Sequence, residues 1–338
     1  MFFDPIQEAL TKIIFENSGF GLAPLAAMPI SDLFLPLYVQ IESTTKCNLR
    51  CKTCRRTNET NCDMSFELFK SIIDEFKGFR LISRRLDLTG LGEPLFHPQI
   101  ARMVEYAKNN GFHVSFTSNF TVINREKAVE LIKARLDGLY ASFDGASKET
   151  FERIRVGADF DKVIGNVKLF QGIKKEVGSV KPKLMFETTV SESNMHEVLG
   201  IIKLAESLGV DGVYICREVK AGKTDYANDS FASINWKGLA KSRVEIQFSN
   251  PVRPPRPCVG VIGCYITFDG KVLPCNRIIQ LAPRSEYSHY QFGDLKKESL
   301  REIWFSNDYR LFRKRVALGI CSSLCKSCPT CAGNYQTK

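Results

Sequence analysis

A chain of 338 residues, 44% of them hydrophobic and 25% charged, can bury the core of one large domain or of two, and its composition excludes disordered and fibrous classes. The formal net charge of +10 favours anionic partners, yet the basic residues are scattered and the densest runs (Arg50 to Arg56, Arg310 to Arg315) are short, which reads as a solvated basic surface with no nucleic-acid partner expected. "MFFDPIQEAL" lacks the basic start of a signal peptide, and "GLAPLAAMPISDLFLPLYVQ" is interrupted by Pro24, Pro29, Asp32 and Pro36, so neither secretion nor a membrane span is expected and the twelve cysteines of a cytoplasmic chain point to metal or redox chemistry rather than disulfides.

Apolar strand-like runs alternate with helical patterns. "LYVQIE" (37–42) is the first expected strand. "SFELFKSIIDEFKG" follows as a helix, with Phe66, Phe69, Ile73 and Phe76 on one face, Ser65 as N-cap and Gly78 as stop. "RRLDLT" (84–89) is the second strand, and a helix from about Pro98 to Asn110 ends at Gly111. "FHVSFT" (112–117) precedes a helix capped by Asn124. "DGLYASF" (137–143) is the fourth strand, followed by helical segments around 147–154 and 160–177. "KLMFETTV" (183–190) leads into "NMHEVLGIIKLAESLG", and "DGVYIC" (211–216) is the sixth strand. Six β/α units in series predict a parallel α/β sheet with right-handed crossovers, an open partial (β/α)6 TIM-like barrel, since closure normally takes eight.

The unusual residues all fall past the C-terminal ends of these strands, where such folds build active sites. A cysteine triplet follows strand one, "GLGEP" strand two, "SNF" strand three, "DGAS" strand four, and Cys216 with Arg217 strand six. After about residue 230 the helical regularity weakens and "SNPVRPPRPC" (249–258) reads as a stiff connector. Cys258, Cys264 and Cys275 follow it, then Cys321, Cys325, Cys328 and Cys331. The expected division is an N-terminal extension (1–36), a (β/α)6 core (37–232) and a separate small cysteine-rich α+β domain (233–338).

The triplet is C-x3-C-x2-C, from Cys47 through Cys51 to Cys54. Soft thiolates suit iron–sulfur clusters or zinc. Three of them can hold three irons of a 4Fe-4S cluster and leave the fourth open to an exogenous ligand. The amino and carboxylate groups of S-adenosylmethionine fit that place. On this expectation an electron from the cluster would cleave a C–S bond to give a 5′-deoxyadenosyl radical, which would remove hydrogen from a substrate. The competing reading is a zinc site with Cys62 as fourth ligand, but zinc knuckles usually come as paired C-x2-C units.

With "CNLRCKTC" in place, the chain resembles the radical S-adenosylmethionine superfamily from about residue 37 to its end. The aromatic residue usual before the third cysteine is replaced by Thr53, and the glycine-rich G-G-E-P appears as "LGEP" with Leu91 at its first position. The resemblance implies that Gly92 permits close backbone approach and that Glu93 accepts from the cofactor's amino group. It also implies ribose-side contacts from Ser118 and Asn119 in "TSNFT". "ASFDGASKETFERIR" would add Ser142 and the carboxylate-binding Arg155, with Asp144 as a further candidate. Each has a plainer reading as turn, helix cap or dipole complement.

"CVGVIGCYITFDGKVLPC" and "CSSLCKSCPTC" resemble the SPASM/twitch extension of these enzymes, which binds auxiliary iron–sulfur clusters. Its linking helix resembles "FGDLKKESLREIWFSNDYRLFR", with Leu300, Ile303, Trp304 and Leu311 as expected core. Cys258, Cys264, Cys275 and one tail cysteine would complete one cluster, three tail thiols could hold a second, and a tail zinc site is the alternative. Cys216 is a candidate hydrogen-atom donor or else a small buried hydrophobe. His97 and His196 carry no usable pattern.

The expectation is an oxidoreductase-like enzyme acting on a small polar molecule (sugar or aminocyclitol) or a protein side chain, with an acidic electron donor such as flavodoxin or ferredoxin. A ribosomal-peptide maturase of the same family is the alternative, although residues 1–36 look short for a leader-binding domain. From other classes, a zinc- and nucleic-acid-binding module would be colourless and carry zinc, and an electron-transfer protein would hold clusters without cleaving the cofactor.

Overall fold

The computed structural model describes residues 35–54, 61–77, 84–218, 234, 242–248 and 259–317. The first half is a β/α series: β1 (Tyr38–Ile41), α1 (Phe66–Asp74), β2 (Arg84–Asp87), α2 (Ile100–Asn109), β3 (Phe112–Ser118), α3 (Arg125–Lys133), β4 (Gly138–Ser142), α4 (Lys148–Ile154), α5 (Phe160–Glu176), β5 (Lys183–Val190), α6 (Val198–Ser207) and β6 (Gly212–Arg217). Beyond it lie β7 (Glu245–Phe248), β8 (Gly263–Ile266), β9 (Lys271–Leu273), α7 (Ile278–Leu281), β10 (Gly293–Asp294), α8 (Leu300–Phe305) and α9 (Asn307–Ala317).

Local chemistry starts and stops these elements. Ser65 accepts from the Leu68 amide to open α1, and Asn124 accepts from Lys127 to open α3. Both were legible as caps. Gly111, at φ +84°, takes the left-handed turn after α2 that a β-carbon would resist. The expected stop at Gly78 lies outside the described residues.

One ten-stranded sheet runs in the order β10-β9-β8-β1-β2-β3-β4-β5-β6-β7. From β8 to β7 along this order every pair is parallel, and only the pairs β8–β9 and β9–β10 are antiparallel. The order is linear, so the barrel is open, a partial TIM-like α/β fold as expected. Both ends gain strands from beyond the anticipated boundary at 232/233. Val39 of β1 stands beside Cys264 of β8, and Ile215 of β6 beside Phe248 of β7.

The two faces of the sheet differ. One set of alternate residues, including Val39, Ile41, Leu86, Val114, Phe116, Leu139, Phe186 and Val213, is buried in the main core with Phe69 and Ile73 of α1 and Met103 and Val104 of α2. The other set is polar and only half-buried: Tyr38, Asp87, Ser115, Thr117, Tyr140, Glu187, Thr189, Tyr214 and Cys216. With period two, these residues share the concave side of the barrel. A packed TIM interior carries branched apolar residues there; this one is polar and accessible, the character of a binding chamber.

In the C-terminal part, Ser299 opens α8 with a reciprocal capping box to Glu302. Leu300, Ile303 and Trp304 are buried as expected, whereas Leu311 is 54% exposed. The expected continuous helix breaks at Ser306 (ψ 152°), which rotates the following turn. Tyr309, Phe312 and Val316 face the core in its place.

Candidate cofactor and substrate site

The triplet loop follows β1 and is anchored on three sides. Thr45 N–H donates to the Cys62 carbonyl at 2.9 Å, and Glu93 N–H donates to the Lys46 carbonyl at 2.7 Å. On the far side, Arg50 and Lys52 donate to the carbonyls of Val156 and Ile154, both at 2.9 Å. Gly92 makes the second anchor possible, because a β-carbon there would lie 2.2 Å from the Thr44 carbonyl oxygen. Its close approach is therefore to the triplet's own backbone.

These anchors bring donors to the sulfurs. Asn119 Nδ2 lies 3.8 Å from Cys47 Sγ, and Arg155 Nη1 lies 3.9 Å from Cys51 Sγ. Cys47 and Cys51 are half-buried and Cys54 is exposed. Burial pushes the Cys51 thiol up to about 11, with the Arg155 guanidinium pulling the other way. A soft metal centre draws such a thiol into its thiolate form.

Asn119 and Arg155 are themselves held. Asn119 also donates to Asn48 Oδ1 (2.9 Å) and accepts from the Thr121 amide (2.9 Å) and hydroxyl (2.7 Å). Phe120, buried at φ +60°, carries the turn in a left-handed conformation unusual for an aromatic residue. Arg155 Nη2 pairs with the fully buried Asp144 Oδ2 at 2.8 Å, and Asp144 Oδ1 accepts from the Thr189 amide at 2.7 Å. Behind them Phe143 stacks on Phe186 with ring centroids 4.3 Å apart.

Glu93 is held by two backbone amides. One carboxylate oxygen accepts from Leu95 N–H at 3.1 Å and the other from Asn119 N–H at 2.5 Å. Burial raises its pKa, opposed by these amides. It thus ties the strand-two turn to the strand-three turn. Ser118 supports the same turn, its hydroxyl accepting from Phe120 N–H at 3.0 Å. Ser142 is buried on the concave side beside Glu187 in register.

Sequence reasoning passed over the carboxylates inside the barrel. Glu187 accepts from the Thr117 hydroxyl at 2.6 Å and from the Cys216 thiol at 3.6 Å, and burial raises its pKa. Cys216 therefore faces the chamber rather than filling the apolar core. Asp87 accepts from Thr89 N–H (2.9 Å) and the Tyr38 hydroxyl (3.4 Å). Burial chiefly, with the nearby Glu187 charge, pushes it up to about 6. A polar residue at every second place in parallel strands, which ordinarily bury both faces, was the available signal.

Among the described residues no three His, Cys, Asp or Glu side chains converge on a single ion. Arg155 Nε is buried with no hydrogen-bond partner, a donor suited to a carboxylate. The thiol set and this orphaned donor fit an iron–sulfur cluster with a carboxylate-bearing ligand. In the C-terminal part, Cys264 is buried in the main core and Cys275 packs with Tyr265 and Leu273 in a second apolar cluster. Cys258, Cys321, Cys325, Cys328 and Cys331 lie outside the described residues. No helix among the described residues is long and apolar enough to cross a membrane.

Comparison with known proteins agrees with this geometry. The Radical SAM superfamily profile matches residues 41–213, and that of an iron–sulfur cluster-binding domain, SPASM, matches 258–331. A tungsten-containing aldehyde ferredoxin oxidoreductase cofactor-modifying protein of Pyrococcus furiosus is 27% identical over 304 residues, covering 82% of this chain and 83% of the relative. A probable GTP 3',8-cyclase of Saccharolobus islandicus is 32% identical over 304 residues, covering 80% and 92%. The crystal structure of Streptococcus suis SuiB bound to S-adenosylmethionine shares the fold with a TM-score of 0.65 at 13% identity, covering 82% of this chain and 67% of that one. The chain belongs to the Radical SAM superfamily of iron–sulfur, S-adenosylmethionine-dependent enzymes and carries a C-terminal SPASM domain.

Proposed function

We propose that the chain is an oxidoreductase-like enzyme that modifies a small polar molecule or a protein side chain inside the barrel. The cluster and S-adenosylmethionine, when bound, supply a 5′-deoxyadenosyl radical that abstracts hydrogen from the substrate. The observation that carries the reading is the arrangement of cofactor-side donors and polar chamber at one end of one sheet. Cys47, Cys51 and Cys54 would hold the cluster, with Asn119 and Arg155 donating toward the sulfurs. Arg155, fixed by Asp144, offers its orphaned Nε to the cofactor carboxylate. Glu93, Ser118 and Gly92 set the turns that face it, and Ser142 stands beside Glu187 in register.

Cys216 is a hydrogen-atom donor in this reading, its thiol held toward the chamber by Glu187. Cys258, Cys264, Cys275, Cys321, Cys325, Cys328 and Cys331 are the pool from which one or two auxiliary clusters would draw ligands. Electrons would come from an acidic flavodoxin- or ferredoxin-like donor, favoured by the net charge of +10, and the cytoplasm is the matching compartment.

The test is anaerobic. Iron-reconstituted, reduced protein with S-adenosylmethionine is expected to release 5′-deoxyadenosine, and Cys51→Ala to lose release by at least about a hundredfold, since all three sulfurs act as a unit. Wild-type protein that carries iron yet releases none would overturn the assignment.

A further inference from the structure

We infer that the barrel chamber takes a small substrate bearing a protonated amine, which the Asp87 and Glu187 carboxylates recognise from the concave face of β2 and β5. This rests on the reading above and narrows its substrate.

Neither carboxylate has an ion-pair partner among the described residues. Their contacts are neutral: Thr89 N–H and the Tyr38 hydroxyl for Asp87, the Thr117 hydroxyl and the Cys216 thiol for Glu187. Arg155 acts on Glu187 electrostatically but is itself paired with Asp144 at 2.8 Å. Carboxylates withdrawn from water are ordinarily matched by a cation. Here they face one accessible space, and a ligand ammonium can supply the match.

A second observation points to a ligand in that space. Ser142 is 8% exposed, stands beside Glu187 in register, and its side chain makes no hydrogen bond among the described residues. The hydroxyls of Tyr140 and Tyr214 are likewise without a hydrogen-bond partner there, and the rings meet edge to face at 6.0 Å on the same concave side. Their faces suit a cation as well as their hydroxyls suit a donor or acceptor. Each carboxylate oxygen retains acceptor capacity beyond its present contacts.

The experiment uses cluster-loaded full-length protein with S-adenosylmethionine. A low-molecular-mass metabolite pool is split at pH 7 into cation-exchange-retained and flow-through fractions. Two readouts follow each fraction: the stimulation of 5′-deoxyadenosine release, and the mass of any molecule co-eluting with the protein on gel filtration. The expected result is stimulation and an amine-bearing co-eluting molecule from the retained fraction, with Glu187→Gln and Asp87→Asn each raising the concentration for half-maximal stimulation at least about tenfold. Glu187→Asp, which keeps the charge, is expected to recover part of the loss. Stimulation by the flow-through fraction alone, by neither fraction, or equally in wild type and both neutral variants overturns the inference. Failure of the underlying reading looks different, because no fraction would then matter and unstimulated protein would release no 5′-deoxyadenosine at all.

Discussion

Gly92 shows how one hydrogen atom in place of a methyl group decides whether two loops meet. Its neighbours are backbone atoms of Thr44 and Lys46, which cannot swing aside as a side chain would. Gly92→Ala is therefore expected to cost about 1–3 kcal/mol and to lower the iron bound per chain, measured by urea unfolding and iron analysis. Gly165→Ala is the matched control. It lies within α5 with nothing within 4 Å of its would-be β-carbon, so it should stabilise by up to about 1 kcal/mol and leave iron content unchanged. Glu93 carries a related lesson. Its motif was legible, but its work of tying Asn119 to the strand-two turn was not, because one of the two amides that occupy it, that of Asn119, comes from a turn 26 residues away in the chain.

Among the elements, the linking helices separate two leucines that the sequence treats alike. Leu300 is fully buried and Leu311 is 54% exposed. Leu300→Ala should lose about 2–5 kcal/mol, whereas Leu311→Ala should stay within about 0.5 kcal/mol, read as shifts in the denaturation midpoint at constant slope. The miss at Leu311 has a physical cause: Ser306 interrupts the period, and a pattern extrapolated through an extended residue turns the wrong face inward. Elements set by local chemistry were read well, including caps at Ser65 and Asn124 and strand β5 at its full span. β7 was passed over, and the places of β7 and β8 were not readable. Their four residues each gain identity only by pairing with β6 and β1, contacts that periodicity does not encode. The strand-end motifs were legible by their place past the C-terminal ends of the strands, while Asp87 and Glu187 were not singled out, since their alternation gains meaning only when the strands are set side by side in one sheet.

Across the whole molecule, a buried ion pair joins the barrel to its extension. Arg284 Nη2 lies 2.6 Å from Glu42 Oε1, and the Glu42 side chain is fully shielded from solvent. Burial raises the Glu42 pKa and Arg284 opposes that rise. Arg284→Met removes the opposition, so the folded state holds the Glu42 proton to higher pH than the unfolded chain does. The folded state then binds more protons above the ordinary glutamate value, and stability falls as pH rises through that window. The variant should be destabilised by about 3–5 kcal/mol near pH 8 and by distinctly less near pH 5, compared by urea titration at both values. A pH-independent loss would show that packing of the Arg284 stem, and not its charge, is what matters.

Because β1 sits between β2 and β8, the first β/α strand has a neighbour that arrives 225 residues later by register, Val39 beside Cys264 (264 − 39 = 225). A shortened gene product stopping at residue 232 would leave the amides and carbonyls along one flank of β1 with nothing to bond. Such a bare margin invites pairing with another chain, so the shortened product should form oligomers or precipitate, as light scattering would register, where the intact protein does not. Strand β8, made long after β1, closes the flank that β1 would otherwise leave bare.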